Sequence, residues 1–174
     1  MKSTKSTSSS FWVVTIHDMR PQGQQLSFDT KEVLLCLGPG IHSYLWAITD
    51  LDCTAEEAQP FCDAVEKGRR SGEALLISWD ELLAACQTFG QTVEATIIGI
   101  PQKAYTTKVL DVVSDLSLFP KSGAELIIRA IDSSFFEVIT KSYDHVQSLK
   151  RCFRDVREED ATNYFATSVN RGIG

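Results

Sequence analysis

The stretch ELIIRAIDSSFFEVITKS, residues 125–142, limits the possible folds more than any other part of the chain. Two apolar runs rich in β-branched and aromatic residues flank Asp132-Ser133-Ser134, a pattern that reads as an antiparallel hairpin. With a three-residue loop, Ile131 faces Phe135, Ala130 faces Phe136, Arg129 faces Glu137, Ile128 faces Val138 and Ile127 faces Ile139. That register sets the only two opposite charges across from one another and pairs apolar residues elsewhere, each pair contributing roughly 0.2–1 kcal/mol. A two-residue loop would put Arg129 opposite Val138, and Ser133-Ser134 lacks the Gly or Asn of a tight primed turn. A three-residue loop asks for glycine in its left-handed position, where Ser134 stands, so a longer loop is the alternative. The same tripeptide could be read as a nucleophilic serine with an aspartate to orient its base. A serine needs that base within about 3 Å, and His17, His42 and His145 sit in no recognised motif. There is no G-x-S-x-G elbow. Turn chemistry is the favoured reading.

Elsewhere the pattern alternates between strand and helix. FWVVTIH (11–17) reads as a strand closed by Pro21 and Gly23, residues 31–37 as a second strand ended by Gly38-Pro39-Gly40, and SYLWAIT (43–49) as a third. Thr54 and Glu57 form a T-x-x-E box ahead of Ala58, Phe61, Cys62 and Val65 at helical spacing. Pro60 requires that this helix bend there or start afresh. ALLIS (74–78) reads as a short buried strand, Ser78 with Glu81 caps a helix ending at Gly90, and TVEATIIGI (92–100) reads as a strand. Residues 105–119 fit both a helical face through Val109, Val112, Val113 and Leu116 and strand alternation; helix is favoured. Ser142 caps a last helix with a Val146, Leu149, Phe153 and Val156 stripe. This order predicts a single α+β domain at 11–157, with a mixed or mainly antiparallel sheet and about three helices packed on it. Residues 1–10 and 158–174 read as a disordered and a partly disordered tail.

Apolar residues at 43% and charged residues at 23% are ordinary for a soluble globular protein. No run approaches the roughly 18 apolar residues of a membrane span. Cysteines at 36, 53, 62, 86 and 152 show no C-x-x-C pair and lie mostly in apolar periodic segments, so a reducing cytoplasm is the simplest expectation. The net charge is −6, and residues 50–66 hold six acids and no base. Phosphate backbones are repelled by such a stretch, which argues against nucleic acid and for a basic protein partner. Asp50, Asp52, Glu56, Glu57 and Asp63 are the candidate partner-binding residues; a solvated helix flank is the plainer account of the same charges.

Other constellations carry less. GPGIHS (38–43) lacks both the third glycine of G-x-G-x-x-G and a G-K-[ST], so a turn explains it better than a nucleotide site. His42, Asp50, Asp52 and Cys53 are ligand types close in sequence, without the paired spacing of structural zinc or an H-E-x-x-H helix. Trp12, Trp46 and Trp79 are expected in the core. No catalytic residue, cofactor or metal is assigned.

ISWDELLAACQTFGQTVEATIIGI (77–100) followed by AELIIRAIDSSFFEVITKS (124–142) resembles small bacterial α+β domains grouped with the immunity proteins of toxin systems. In those a strand ending in Asp-Ser leads into an aromatic-rich strand, then a lysine and a helix. The resemblance covers the second half of the chain and implies a compact non-enzymatic protein that binds and blocks a partner. A small hydrolase using a pocket histidine is the alternative, and a homo-oligomeric structural domain the third reading.

Overall fold

The computed structural model describes residues 11–19, 26–161 and 164. Strands β1 (Trp12–Ile16), β2 (Tyr44–Cys53), β3 (Leu75–Ile77), β4 (Thr92–Pro101), β5 (Leu126–Ile131), β6 (Phe135–Thr140) and β7 (Val156–Glu159) form one sheet of order β3-β2-β4-β5-β6-β1-β7. Every pairing is antiparallel. The helices are α1 (Thr30–Cys36), α2 (Gln59–Arg70), α3 (Trp79–Cys86), α4 (Asp111–Ser114) and α5 (Tyr143–Cys152), joined by several 3-10 segments. The architecture is α+β, with more helices than the three or so expected.

Both faces of the central strands are covered, which is why β4, β5 and β6 read as nearly continuous apolar runs rather than clean alternation. One face packs Trp46, Ile48, Ile97, Ile128 and Val138 against Val33 and Leu34 of α1, Val65 of α2, Leu82 of α3 and Val146 and Leu149 of α5. The other packs Val13, Ala47, Ile98, Ile127 and Ile139 against Val109, Val112 and Phe119. That second cover comes from residues 102–121, which form short 3-10 and α turns around α4 in place of one continuous helix. Pro120 lies inside the last of these turns. Glycine is required at 99 because a Cβ there would meet Tyr44 Cδ2 at 2.9 Å and Trp46 at 3.2 Å.

The hairpin forms in the register read from the sequence, Arg129 opposite Glu137 with Nη1 to Oε2 at 3.0 Å. The left-handed residues are Asp132 (φ 48°) and Ser133 (φ 54°), not Ser134. Ser134 N donates to Ile131 O at 2.8 Å, and Ser133 N to Val93 O at 3.0 Å, so the turn tip is tied to β4.

Four readings are corrected. Residues 31–37 are helical: the Asp29 carboxylate takes the Thr30 amide at 2.6 Å and Glu32 reaches back to the Asp29 amide, a D-x-x-E capping box that turns an apolar run into α1. Thr54 caps nothing; its hydroxyl accepts the Gln91 amide at 3.0 Å, and α2 starts afresh at Gln59 with Pro60 in its first turn, where no amide is needed. β3 is a half-exposed edge strand rather than a buried one, with Leu76 38% exposed. Val156 opens β7 rather than extending the last helix, because α5 ends at Cys152 and the Asp18 carboxylate takes the amides of Arg154 and Asp155 at 2.9 and 2.5 Å. β7 therefore crosses the boundary expected between the domain and the C-terminal tail. Residues 1–10 and the Pro21-Gly23 stop lie outside the described residues, as does most of 158–174.

The cysteines are not simply core thiols. Cys36 and Cys152 form a disulfide between the ends of α1 and α5, while Cys53, Cys62 and Cys86 are free. Trp46 and Trp79 are buried, and Trp12 packs partly buried against the core.

Candidate functional site: an acidic cleft with a cysteine pair

The last half of β2 has no strand paired to its outer side, since β3 pairs with β2 only from Trp46 to Ile48. At Thr49 the register with β4 slips by one residue, a bulge that re-aims the strand so that Asp50 pairs with Thr96 and Asp52 with Glu94. α2 packs beside this edge. Between them opens a cleft of about 480 Å³, lined by Asp50, Leu51, Asp52 and Cys53 of β2, by Gln59, Cys62, Asp63, Glu66 and Arg69 of α2, and by Glu94 of β4.

The charge of this cleft is lopsided. Glu66 is clamped by Arg69 at 2.6 Å and Arg70 at 2.8 Å. Those two guanidinium groups, Arg69 first, hold its carboxyl down to about 2, so Glu66 and Arg69, the one cation lining the cleft among the described residues, neutralise each other. Asp63 accepts the Gln59 side-chain amide at 2.8 Å. Asp52 and Glu94 stand directly opposite each other, and among the described residues neither joins an ion pair. Cross-strand like charges are destabilising. Beside these acids, Cys53 Sγ and Cys62 Sγ lie 3.2 Å apart. Burial, and then the neighbouring Cys62, push the Cys53 thiol up to about 12.

Three of the five residues singled out in the sequence, Asp50, Asp52 and Asp63, meet in the cleft. Glu56 and Glu57 are exposed on the 3-10 turn before α2 and do not line it. Sequence reasoning missed Glu94 as a cleft residue and Cys62 as the partner of Cys53. The alternation of VEATI was a usable signal for Glu94, whereas nothing local announces the cysteine pair. His42 stacks on Trp79 at 4.4 Å, and among the described residues no group of three or more His, Cys, Asp or Glu is placed to hold a metal ion. His17 stacks on Phe135 and His145 Nδ1 bonds Thr140 Oγ1, while the Ser134 hydroxyl donates to the Asp132 carbonyl. Among the described residues no helix is long and apolar enough to cross a membrane. Comparison with protein-family models, curated proteins and solved structures gave no match to this chain.

Proposed function

We propose that the protein works by binding, with the acidic cleft as the seat of a lysine- or arginine-rich segment of a protein partner. The observation that carries this reading is the pairing of Asp52 with Glu94 on adjacent strands, with neither in an ion pair among the described residues. Like charges directly opposite on paired strands are destabilising, and a cationic side chain seated between the two carboxylates relieves that repulsion. The net charge of −6 adds long-range attraction for such a segment and repulsion for nucleic acid. The likeness of residues 77–100 and 124–142 to immunity-type domains supports blocking of that partner as the purpose. The Cys36–Cys152 disulfide favours a compartment in which disulfides persist over the reducing cytoplasm expected from the cysteine spacing.

Titration of a labelled octalysine peptide tests the reading. Binding is expected at low ionic strength and falls steeply with added salt. The D52N/E94Q variant is expected to bind about tenfold more weakly, close to 1.4 kcal/mol. Equal affinity of the variant and the unaltered protein would refute the assignment.

A further inference from the structure

We infer that Cys53 and Cys62 are a reversible dithiol–disulfide site that exchanges with disulfides carrying positive charge. Their sulfurs, 3.2 Å apart, are roughly 1 Å beyond a covalent S–S bond of about 2.05 Å, so a small side-chain rotation joins them. Both are held by structure that does not depend on the sulfurs. Cys53 ends β2, and the next two amides, of Thr54 and Ala55, donate to the Gln91 and Phe89 carbonyls at 3.0 and 3.3 Å. Cys62 sits in the first turns of α2, a helix fixed by burial of Val65. Cys86, the third free thiol, is buried in the core and serves as a control.

The exchange balances in two steps. Cys62, as thiolate, attacks one sulfur of an incoming disulfide; its S–S bond breaks, and the departing thiolate takes a proton from water. Cys53 then gives its proton to water and attacks Cys62 Sγ, which breaks the mixed disulfide and releases a second thiol. Two protein thiols are oxidised and one external disulfide is reduced to two thiols. Either cysteine can enter first with the same products; burial, and then the neighbouring Cys62, raise the Cys53 thiol, which suits it to the resolving role. Asp50, Asp52, Asp63 and Glu94 around the pair attract a cationic disulfide and repel an anionic one. None of this requires that the cleft bind a basic protein.

The protein, with the Cys36–Cys152 disulfide intact and Cys53, Cys62 and Cys86 as thiols, is incubated with cystamine, a dication, or with oxidised glutathione, an anion, then alkylated and mapped by peptide mass spectrometry. The expected product is a Cys53–Cys62 cross-link, reversed by dithiothreitol and formed on the order of tenfold faster with cystamine at low ionic strength, the preference shrinking in high salt. Closing this loop is expected to raise Tm by about 5–10 °C. C53S and C62S should each lose the cross-link and C86S keep it; if the first two fail to fold, the map of the unaltered protein decides. Recovery of Cys53 and Cys62 as alkylated thiols, or as two separate mixed disulfides, overturns the site. Equal rates with the two disulfides overturn its charge preference.

Discussion

Ser133 holds a backbone angle that an L-residue with a side chain seldom adopts, φ 54°, directly after Asp132 at 48°. Left-handed backbone costs such a residue roughly 1–2 kcal/mol, and glycine nothing. The turn is kept because its ends are over-determined by the six-pair register behind it and by the Ser133 amide on Val93. S133G keeps that amide and removes the strain, so it is expected to raise stability by about 1 kcal/mol, read as a shift in urea midpoint. S133V, β-branched, is expected to lower it by as much or more. A stability loss in S133G would show that the hydroxyl, not the backbone, matters here. At this scale the turn was legible but its left-handed positions were not: Asp and Ser are turn formers whether or not they react, the left-handed residues are Asp132 and Ser133 rather than Ser134, and the Ser134 hydroxyl is spent on the Asp132 carbonyl.

Among the elements, α5 carries a pH dependence. Thr140 Oγ1 accepts the Ser142 amide at 3.1 Å and shares a hydrogen bond with Nδ1 of His145 at 2.8 Å. Burial lowers the His145 pKa, with Asp144 opposing more weakly. In the unfolded chain the ring titrates near its ordinary value, about 6.5. The unfolded state thus binds more protons between the two values, so this contribution is complete above about pH 6.5 and declines as the pH falls toward the folded value. Urea midpoints from pH 8 to 5 should fall below pH 6.5, and H145Q should flatten that part of the profile. An unchanged slope in H145Q would remove His145 as the cause. The elements were readable in proportion to how local their signals are. The hairpin register and the Ser78–Glu81 cap of α3 depend on neighbours in sequence. KEVLLCL fits strand and helix equally by its apolar run, and only the Asp29–Glu32 box decides it. β7 has no apolar alternation; it is a strand because the Asp18 carboxylate turns the chain after α5 and lays it along β1.

Over the whole molecule, the cleft depends on topology that no window of sequence contains. Asp52 and Glu94 meet because β4 inserts beside β2 after two intervening helices, and Cys53 meets Cys62 because Pro60 restarts α2 at the correct distance from the end of β2. The acidic run at 50–66 was visible as composition, but its division into cleft residues and bystanders was not. That division predicts a trade between stability and binding. Residues kept for a partner are free to destabilise the unbound fold. The D52N/E94Q variant, which loses affinity for a cationic peptide, is therefore expected to unfold at a higher temperature, by about 1–3 °C for a like-charge pair of this kind. Added salt should raise the Tm of the unaltered protein more than that of the variant, because screening acts on a repulsion the variant no longer has. E56Q/E57Q removes the same formal charge outside the cleft and should change neither the peptide affinity nor the salt response comparably. If both double variants behave alike, net charge alone accounts for the effect and the Asp52–Glu94 geometry has no special part in it.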